Sequence, residues 1–267
     1  MAPLGTKAAP APTAPPRPAH VEFLGLPFSL LSQADVIRHT VESLGARYRY
    51  VVTPNAYHVV AAHDDPARLL PIYRNAWLSL CDSRIVRGLA RLERHKLPLV
   101  TGSDLVPALL AALSGGDRPD RPTRILVVGP SRDAMTALCA AYPALTFEVL
   151  PAPSGLAQRA DLRLAIARAC LQRDWDVALL CVGAPAQELI AHELGELGRK
   201  TGVALCVGAS IDFLTGVRSR APRWLQNLSL EWAYRLAQEP GRLWRRYLVQ
   251  SPKILRIFMT ARLSRGD

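Results

Sequence analysis

Long apolar runs, paired cysteines and common nucleotide-binding fingerprints are all missing from this sequence. No uninterrupted apolar stretch in its 267 residues approaches the ~18 residues that a membrane-spanning helix requires. The five cysteines (positions 81, 139, 170, 181 and 206) are scattered, form no CxxC pair and have no histidine at zinc-ligand spacing. This pattern is typical of a reduced cytoplasmic protein without a structural metal. Neither a P-loop nor a GxGxxG dinucleotide fingerprint is present.

Proline and alanine dominate the start of the chain, where apolar periodicity is absent. Such a composition cannot bury a core, so we predict a disordered leader over residues 1–20. The leader also lacks the apolar segment that follows the basic residues of a secretory signal. We expect the folded part to begin at about Val21.

The positive charge of the chain is concentrated near its end. The formal net charge is +11, and residues 217–267 contain eleven cations against three anions, so this segment carries eight of those charges. Such asymmetry indicates an anionic partner, which at this point is nucleic acid, acidic lipid or a phosphorylated substrate.

Short apolar runs alternate with helical patterns between Val21 and Ser210. Strands are predicted at Arg47–Thr53, Trp77–Cys81, Arg124–Val128, Thr146–Leu150, Val177–Val182 and Val203–Val207. Ser103 and Ser131 are predicted to cap the helices that follow them. This alternation predicts an α/β domain over residues 21–216, with a mostly parallel, Rossmann-like sheet and helices on both faces.

Residues 217–267 differ in composition from the preceding part of the chain and are rich in tryptophan, tyrosine, leucine and arginine. Pro240 and Pro252 are predicted to separate helical pieces. An apolar stripe is predicted along these pieces, formed by Leu228, Trp232, Leu236, Leu243, Trp244, Tyr247 and Leu248. We interpret this segment, the tail, as a basic amphipathic helical appendage to the α/β domain.

Polar residues follow most of the predicted strands, at the end where parallel α/β sheets bind their ligands. They are Thr53 and Asn55, Asp82, Gly129–Ser131, Gly183–Glu188 and Gly208–Asp212. Each group alone is also what an ordinary turn or helix cap requires. Together they predict a pocket at one edge of the sheet.

Several longer motifs make the sequence more specific. In order they are TPN at 53–55, Asp82, VTGSDL at 100–105, VGAPAQE at 182–188, Val207-Gly208 with Asp212-Phe213, RAPRW at 220–224 and EWAYRLAQEPGRLWRRY at 231–247. Over residues 21–258 the chain resembles the WecG/TagA/CpsF glycosyltransferases of bacteria. The string in the tail is too long to match by chance.

The resemblance implies an inverting transfer of an N-acetylhexosamine or related hexose from a UDP-sugar to a polyprenyl-diphosphate-linked glycan acceptor, in cell-surface polysaccharide biosynthesis. It implies Asp82 as the general base, with Thr53 as its catalytic neighbour. The implied substrate-binding residues are Asn55, Thr101, Ser103, Asp104, Gly129, Gly183, Gln187, Glu188, Gly208 and Asp212. Arginines of the tail would contact a diphosphate or the membrane, and they are Arg220, Arg235, Arg242, Arg245 and Arg246.

The resemblance further implies a reaction without cofactor or metal. Many nucleotide-sugar transferases hold a metal with a DxD motif, and Asp174-Trp175-Asp176 has that pattern. It lies at the start of a predicted strand, the wrong end for the pocket. We expect a peripheral enzyme on the inner face of the plasma membrane, attracted by anionic lipid. The oligomeric state stays open, a homo-oligomer included.

The chain departs from the family pattern at four places. Ser83-Arg84 replaces the usual glycine after the aspartate, Ala186 replaces a lysine, Leu156 replaces a tyrosine and Ile211 replaces an aromatic residue. Two alternatives therefore stay open. One is a nucleic-acid-binding protein, suggested by the pI near 10.0, although the tail aromatics share the leucine stripe rather than alternating with cations as in stacking platforms. The other is a non-catalytic scaffold of the same fold.

Overall fold

A computed structural model describes residues 18–115 and 122–264. The predicted leader at 1–20 lies almost wholly outside the described residues, although its last residue, His20, begins the first strand. The strands are β1 His20–Phe23, β2 Leu26–Ser29, β3 Arg49–Val52, β4 Leu78–Ser79, β5 Arg124–Val128, β6 Thr146–Leu150, β7 Val177–Leu180 and β8 Val203–Cys206.

Helices separate nearly all of these strands along the chain. Before the tail they are α1 Gln33–Glu42, α2 Ala56–Asp64, α3 Pro66–Asn75, α4 Arg84–Leu92, α5 Gly102–Ser114, α6 Arg132–Ala141, α7 Ala160–Leu171, α8 Ala186–Glu196 and α9 Ser210–Leu214. The tail contains α10 Arg223–Asn227, α11 Glu231–Gln238, α12 Pro240–Trp244, a π-helical turn at Arg245–Gln250 and α13 Lys253–Leu263.

Six of the strands form one parallel sheet in the order β4-β3-β8-β7-β5-β6. Successive residues of its central strands alternate between two apolar clusters, one on each face. In β5, for example, Ile125 and Val127 join one cluster while Leu126 and Val128 join the other. Helices cover both clusters, which confirms the predicted α/β class and explains why the strands are apolar throughout. The antiparallel hairpin β1–β2 packs through Phe23 and Phe28 on the face that carries Leu126 and Val128.

The last helix of the tail belongs to the same packing. Ile254 and Phe258, one turn apart on α13, are 2% and 7% exposed and join the apolar cluster that contains α2 and α8. The ring of Phe258 lies 6.3 Å from that of Phe23 in β1. Lys253 and Arg262, at the two ends of α13, form ion pairs with Asp64 and Glu93. The helix is therefore fastened to the core along its length.

The structure corrects two local predictions. Thr101, not Ser103, caps α5, because the backbone at Thr101 is extended and its hydroxyl accepts a hydrogen bond from the Asp104 amide. Ser103 is the second residue of the helix. Leu228 does not continue the stripe of Trp232, because α10 ends before it and Ser229 has a left-handed backbone with φ of 61°. Pro240 and Pro252 do separate helical pieces, as predicted.

Within residues 18–115 and 122–264, every helix is too short or too polar to cross a bilayer.

Adjacent residues of α13 provide a test of its docking. We expect Phe258→Ala to lower the free energy of unfolding by about 3–5 kcal/mol, because a buried ring is lost and its space is filled only partly. Met259→Ala is the control: this side chain is 58% exposed, and its loss should change stability by no more than about 0.5 kcal/mol. Urea unfolding followed by circular dichroism measures both. Equal midpoints for the two variants would mean that α13 does not dock on this face.

Candidate active site

A cavity of about 430 Å³ lies at the carboxyl ends of β3 and β4. Its floor comes from the residues that follow those strands and from the start of α5, and its roof comes from the tail. The polar residues of the lining are Asn55, Asp82, Ser83, Arg84, Thr101, Ser103, Asp104, Arg220, Gln226, Ser229, Glu231, Arg235 and Ser251. The larger apolar and aromatic residues are Tyr57, Ile85, Leu99, Phe213, Trp232, Tyr247, Leu248, Ile254 and Leu255.

Asp82 is held at the floor by its neighbours in the chain. Its backbone N–H donates to the Pro54 carbonyl at 3.1 Å, which ties the end of β4 to the end of β3. Its carboxyl accepts a hydrogen bond from the backbone N–H of Gly102. Ser83, where the family usually has glycine, caps α4 by accepting from the Val86 amide at 3.2 Å. The side chain at this position therefore has a structural partner close to the aspartate.

The surroundings of Asp82 favour its protonated form. Burial, together with a smaller contribution from the charge of Glu231, raises the pKa of its carboxyl to about 7. Arg235, the Gly102 amide and Arg220 oppose this change by stabilising the carboxylate. A carboxyl group with a pKa near neutrality is suited to accept a proton during a reaction at physiological pH.

Arg220 closes one wall of the cavity. Its guanidinium donates to both carboxylate oxygens of Asp104, at 2.6 and 3.3 Å, and so joins the tail to the first turn of α5. The Arg220 hydrogen bond is the main reason that the pKa of Asp104 lies below its usual value, and a hydrogen bond from Thr101 adds to it. The predicted residues Thr101, Ser103, Asp104 and Arg220 thus meet at one place.

The other predicted arginines divide into two groups. Arg242 pairs with Glu239 on the exposed side of the tail, and Arg245 stacks on the neighbouring Trp244. Arg235 and Arg246 instead face inwards, over the rings of Phe213 and Tyr57 at 5.3 and 4.4 Å. Within the described part of the chain, neither Arg235 nor Arg246 forms a salt bridge. Arg235 lines the cavity and its charge acts on Asp82, whereas Arg246 is not part of the lining.

Three predicted site residues form a buried network behind the cavity. Glu188 is fully buried, and its Oε1 lies 3.2 Å from His58 Nε2 and 2.8 Å from the amide of Gln187. Burial alone would raise the pKa of Glu188, but hydrogen bonds from His58 and Gln187 outweigh it, so the pKa lies below its usual value. His58 Nδ1 is 2.8 Å from the Oδ1 of Asn55.

This network continues to the next strand, since the Gly208 N–H donates to Gln187 Oε1 at 2.9 Å. The buried hydroxyl of Thr53 donates to the Cys206 carbonyl at 2.8 Å. These contacts tie together the ends of β3, β7 and β8. Of this group only Asn55 lines the cavity, where it also caps α2 by accepting from the Tyr57 amide. The contacts of Thr53, Gln187 and Glu188 therefore hold strand ends together, and none of these three residues lines the cavity.

The remaining predicted positions lie outside the cavity. Gly129 and Gly183 follow β5 and β7 with positive φ, and a Cβ at Gly129 would meet Val182 at 2.5 Å. Asp212 forms an ion pair of 2.8 Å with Arg218. Three of the departures from the family pattern, Leu156, Ala186 and Ile211, are buried in the apolar core and do not line the cavity.

The DxD triplet lies at its predicted position, just before β7. This is the amino end of the strand, whereas the cavity lies at the carboxyl ends of the strands. Asp174 pairs with the Arg124 guanidinium, and Asp176 accepts a hydrogen bond from the Arg124 amide at 3.0 Å. Both carboxylates therefore hold the neighbouring strand β5. Among the residues that the structure describes, no group of three or more acidic, histidine or cysteine side chains is arranged to hold a metal ion.

Sequence reasoning predicted no place in the substrate site for several residues of the cavity, among them Trp232, which it assigned only to the apolar stripe. Glu231 and Trp232 belong to the tail string that carries the resemblance, but the sequence gives no sign that they lie above Asp82. Tyr57 follows the TPN motif on α2 and forms the surface under Arg246. The sequence did contain one indication of their role. Many motif residues lie in the tail, which indicates that residues other than its arginines also belong to the site.

Comparisons with known proteins identify the family and a relative that the chain resembles. A family model described as "Glycosyl transferase WecG/TagA/CpsF family" matches residues 21–267. A curated relative from Bacillus subtilis (strain 168), named N-acetylglucosaminyldiphosphoundecaprenol N-acetyl-beta-D-mannosaminyltransferase, is 28% identical over 165 residues. The match covers 60% of this chain and 60% of the relative.

The raised pKa of Asp82 predicts that the aspartate destabilises the fold. Because the pKa is about 7 in the folded state and about 3.9 in an unfolded chain, the folded state retains the proton between these values while the unfolded chain loses it. The contribution of Asp82 to the free energy of unfolding should therefore fall as pH rises from about 4 to about 7 and change little above that range.

We expect Asp82→Asn to raise the melting temperature at pH 8, and the difference from wild type to shrink as pH is lowered towards 4. Asp65→Asn, the same chemical change at an exposed position, is the control and should stay within about 0.5 kcal/mol of wild type. Calorimetry across this pH range measures both. A variant less stable than wild type at pH 8 would contradict the conclusion that the surroundings of Asp82 disfavour its carboxylate.

Proposed function

The chain belongs to the WecG/TagA/CpsF family of glycosyl transferases, and we propose that it transfers a sugar from a UDP-sugar to a polyprenyl-diphosphate-linked acceptor. The observation that carries the proposal is the position of Asp82. Its carboxyl, with a pKa raised to about 7, lies at the floor of the cavity within the field of Arg235. A proton acceptor and cations for a phosphorylated leaving group are thus combined at one edge of the sheet.

In the proposed reaction Asp82 is the general base. The acceptor hydroxyl loses its proton to the Asp82 carboxylate while its oxygen forms a bond to the anomeric carbon of the donor sugar. The bond between that carbon and the UDP oxygen breaks on the opposite face, so the configuration inverts. Burial and Glu231 raise the proton affinity of Asp82, and for this reason the carboxylate is a stronger base than an exposed aspartate.

The departing UDP takes its negative charge to the cationic side of the cavity. Arg235 and Arg246 form no salt bridge among the described residues, and their planar guanidinium groups match the geometry of phosphate oxygens. We propose that they bind the diphosphate and stabilise the charge that develops on it, without a cofactor or a divalent metal. Arg220 is already paired with Asp104, so its proposed task is to hold the tail over the substrates.

The acceptor and the sugar are proposed by analogy with the relative. The Bacillus subtilis protein is named for transfer of N-acetylmannosamine to a diphosphoundecaprenol acceptor, and this chain spans 60% of that protein's length. We propose an N-acetylhexosamine or related hexose as the sugar, and a glycan on a polyprenyl diphosphate as the acceptor. Such an acceptor stays in a bilayer, so the enzyme would act as a peripheral protein on the inner face of the plasma membrane.

Asp82→Asn is the direct test of the proposal. We expect at least ~10²-fold lower turnover, the low end of what a positioned general base contributes, with the fold and the affinity for UDP retained. Release of UDP from a panel of UDP-sugars, with a polyprenyl-diphosphate-linked sugar as acceptor, measures the rate. Turnover close to wild type would remove Asp82 from the mechanism, and a wild type inactive with every donor would favour a scaffold.

A pair of tail arginines tests the diphosphate site. We expect Arg235→Gln to weaken UDP binding by about 10- to 10²-fold, since a hydrogen bond to a charged group contributes about 1.5–3 kcal/mol. Arg242→Gln removes the same charge from a guanidinium that already pairs with Glu239, so UDP affinity should stay within about twofold. Isothermal titration calorimetry with UDP compares the two. Equal losses would show that the tail acts only through its total charge.

A further inference from the structure

Exposed apolar side chains are distributed unevenly over the molecule. Of the fourteen large ones that are exposed in the described part of the chain, ten lie in the tail. Two of the other four, Ile85 and Leu92, lie on a single helix of the α/β domain, α4, and are 38% and 63% exposed. Helix α4 of the α/β domain therefore exposes large apolar side chains, as the helices of the tail do.

The sequence of α4 is amphipathic in an unusual way. Val86, Leu89 and Ala90 face the core, while Ile85 and Leu92, seven residues apart, share the outer face. Beside them stand exposed arginines at 87, 91 and 94. Five cations and only one anion, Glu93, lie between residues 84 and 96. Within the described chain, none of the three exposed arginines pairs with a carboxylate.

The neighbouring helix α13 continues this surface. Leu255, Met259 and Leu263 recur every four residues and are 51%, 58% and 75% exposed, opposite the buried Ile254 and Phe258. Arg262 of α13 reaches Glu93 at the end of α4, and Ile85 and Leu255 both line the active-site cavity. The two helices therefore flank the cavity at their first turns and come together again at their ends.

We propose that the outer faces of α4 and α13 together form a bilayer-docking surface, so that the α/β domain itself contacts anionic lipid. The inference deepens the proposed function, because it rests on an acceptor that stays in a bilayer. Apolar side chains would enter the boundary between headgroups and acyl chains while the arginines contact acidic headgroups, as on other interfacial helices. Ile85 of α4 and Leu255 of α13 both line the cavity, so docking of these faces would bring Asp82 towards the headgroup layer where the acceptor's diphosphate lies.

The composition of this surface favours lipid over nucleic acid. Binding to a single-stranded nucleic acid uses exposed aromatic rings on which bases stack, and α4 and α13 expose isoleucine, leucine and methionine between their cations. The one aromatic residue of the two helices, Phe258, is buried in the core.

Co-sedimentation of the full-length protein with vesicles tests the proposal. The lipid partition coefficient of each variant is measured with vesicles of phosphatidylcholine that contain about one third phosphatidylglycerol. The triple change Arg87, Arg91 and Arg94 to Gln should weaken binding about 10²-fold, since each cation at an anionic surface contributes a factor of about five. The double change Ile85→Ser and Leu92→Ser should also weaken binding, including in high salt, where electrostatic attraction is screened.

The control removes the same charge elsewhere. Arg132, Arg168 and Lys200 are exposed on α6, on α7 and after α8, and their joint change to Gln should weaken vesicle binding less than tenfold. The proposal is overturned if the α4 triple variant binds as wild type does, or if the control loses as much affinity. It is also overturned if the wild type binds an oligonucleotide at physiological salt but not vesicles.

The assay separates this inference from the proposed function. Vesicle binding is measured without turnover, and transfer is measured separately with the polyprenyl-linked acceptor in detergent. An inactive wild type that docks through α4 would refute the proposed function alone. A wild type active in detergent, whose vesicle binding ignores the α4 changes, would refute the docking surface alone.

Discussion

Ile254 and Phe258 pack beside Phe23 on one face of the sheet, and this contact holds the rest of the tail above the strand ends. Without it, Asp82 would lie at an open edge, where water keeps the pKa of a carboxyl close to its ordinary value. The ion pair of Arg220 with Asp104 fixes the other side of the roof. The cavity is therefore a product of long-range packing, with its floor from the α/β domain and its roof from the last fifty residues.

The parts of this structure that depend on local pattern could be predicted from the sequence. Apolar strands between helices predict a parallel sheet, and polar residues at the strand ends predict where Asn55 and Asp82 lie. The roles of the arginines could not be predicted, because they depend on which side chains each one contacts. Arg220 pairs with Asp104, 116 residues away in the chain, whereas Arg235 forms no salt bridge and lies over the ring of Phe213. The basic patch on α4 was hidden for a different reason, since acidic residues elsewhere in the α/β domain cancel it in the net charge.

The proton affinity of Asp82 depends on one helix that carries both signs of charge. Glu231 and Arg235 are four residues apart on α11, and they act on the Asp82 carboxyl in opposite directions. A small rotation or shift of α11 would change the two distances differently and so change the pKa. The balance between burial, which raises the pKa, and the cation, which lowers it, is therefore set by how the tail docks rather than by the residues next to Asp82 in the chain.

The five cysteines have very unequal accessibility. Burial raises the pKa of the Cys81 and Cys170 thiols to about 12, and it also raises the pKa of Cys181 and Cys206. Because the thiolate is the reactive form, these four thiols are protected from alkylating reagents. Cys139 alone is exposed, on α6, which follows β5 four strands along the sheet from β4. The natural chain thus offers a single cysteine for a fluorescent or spin label, at a position distant from the cavity. A label there can report the tilt of the sheet against a surface without any change to the sequence.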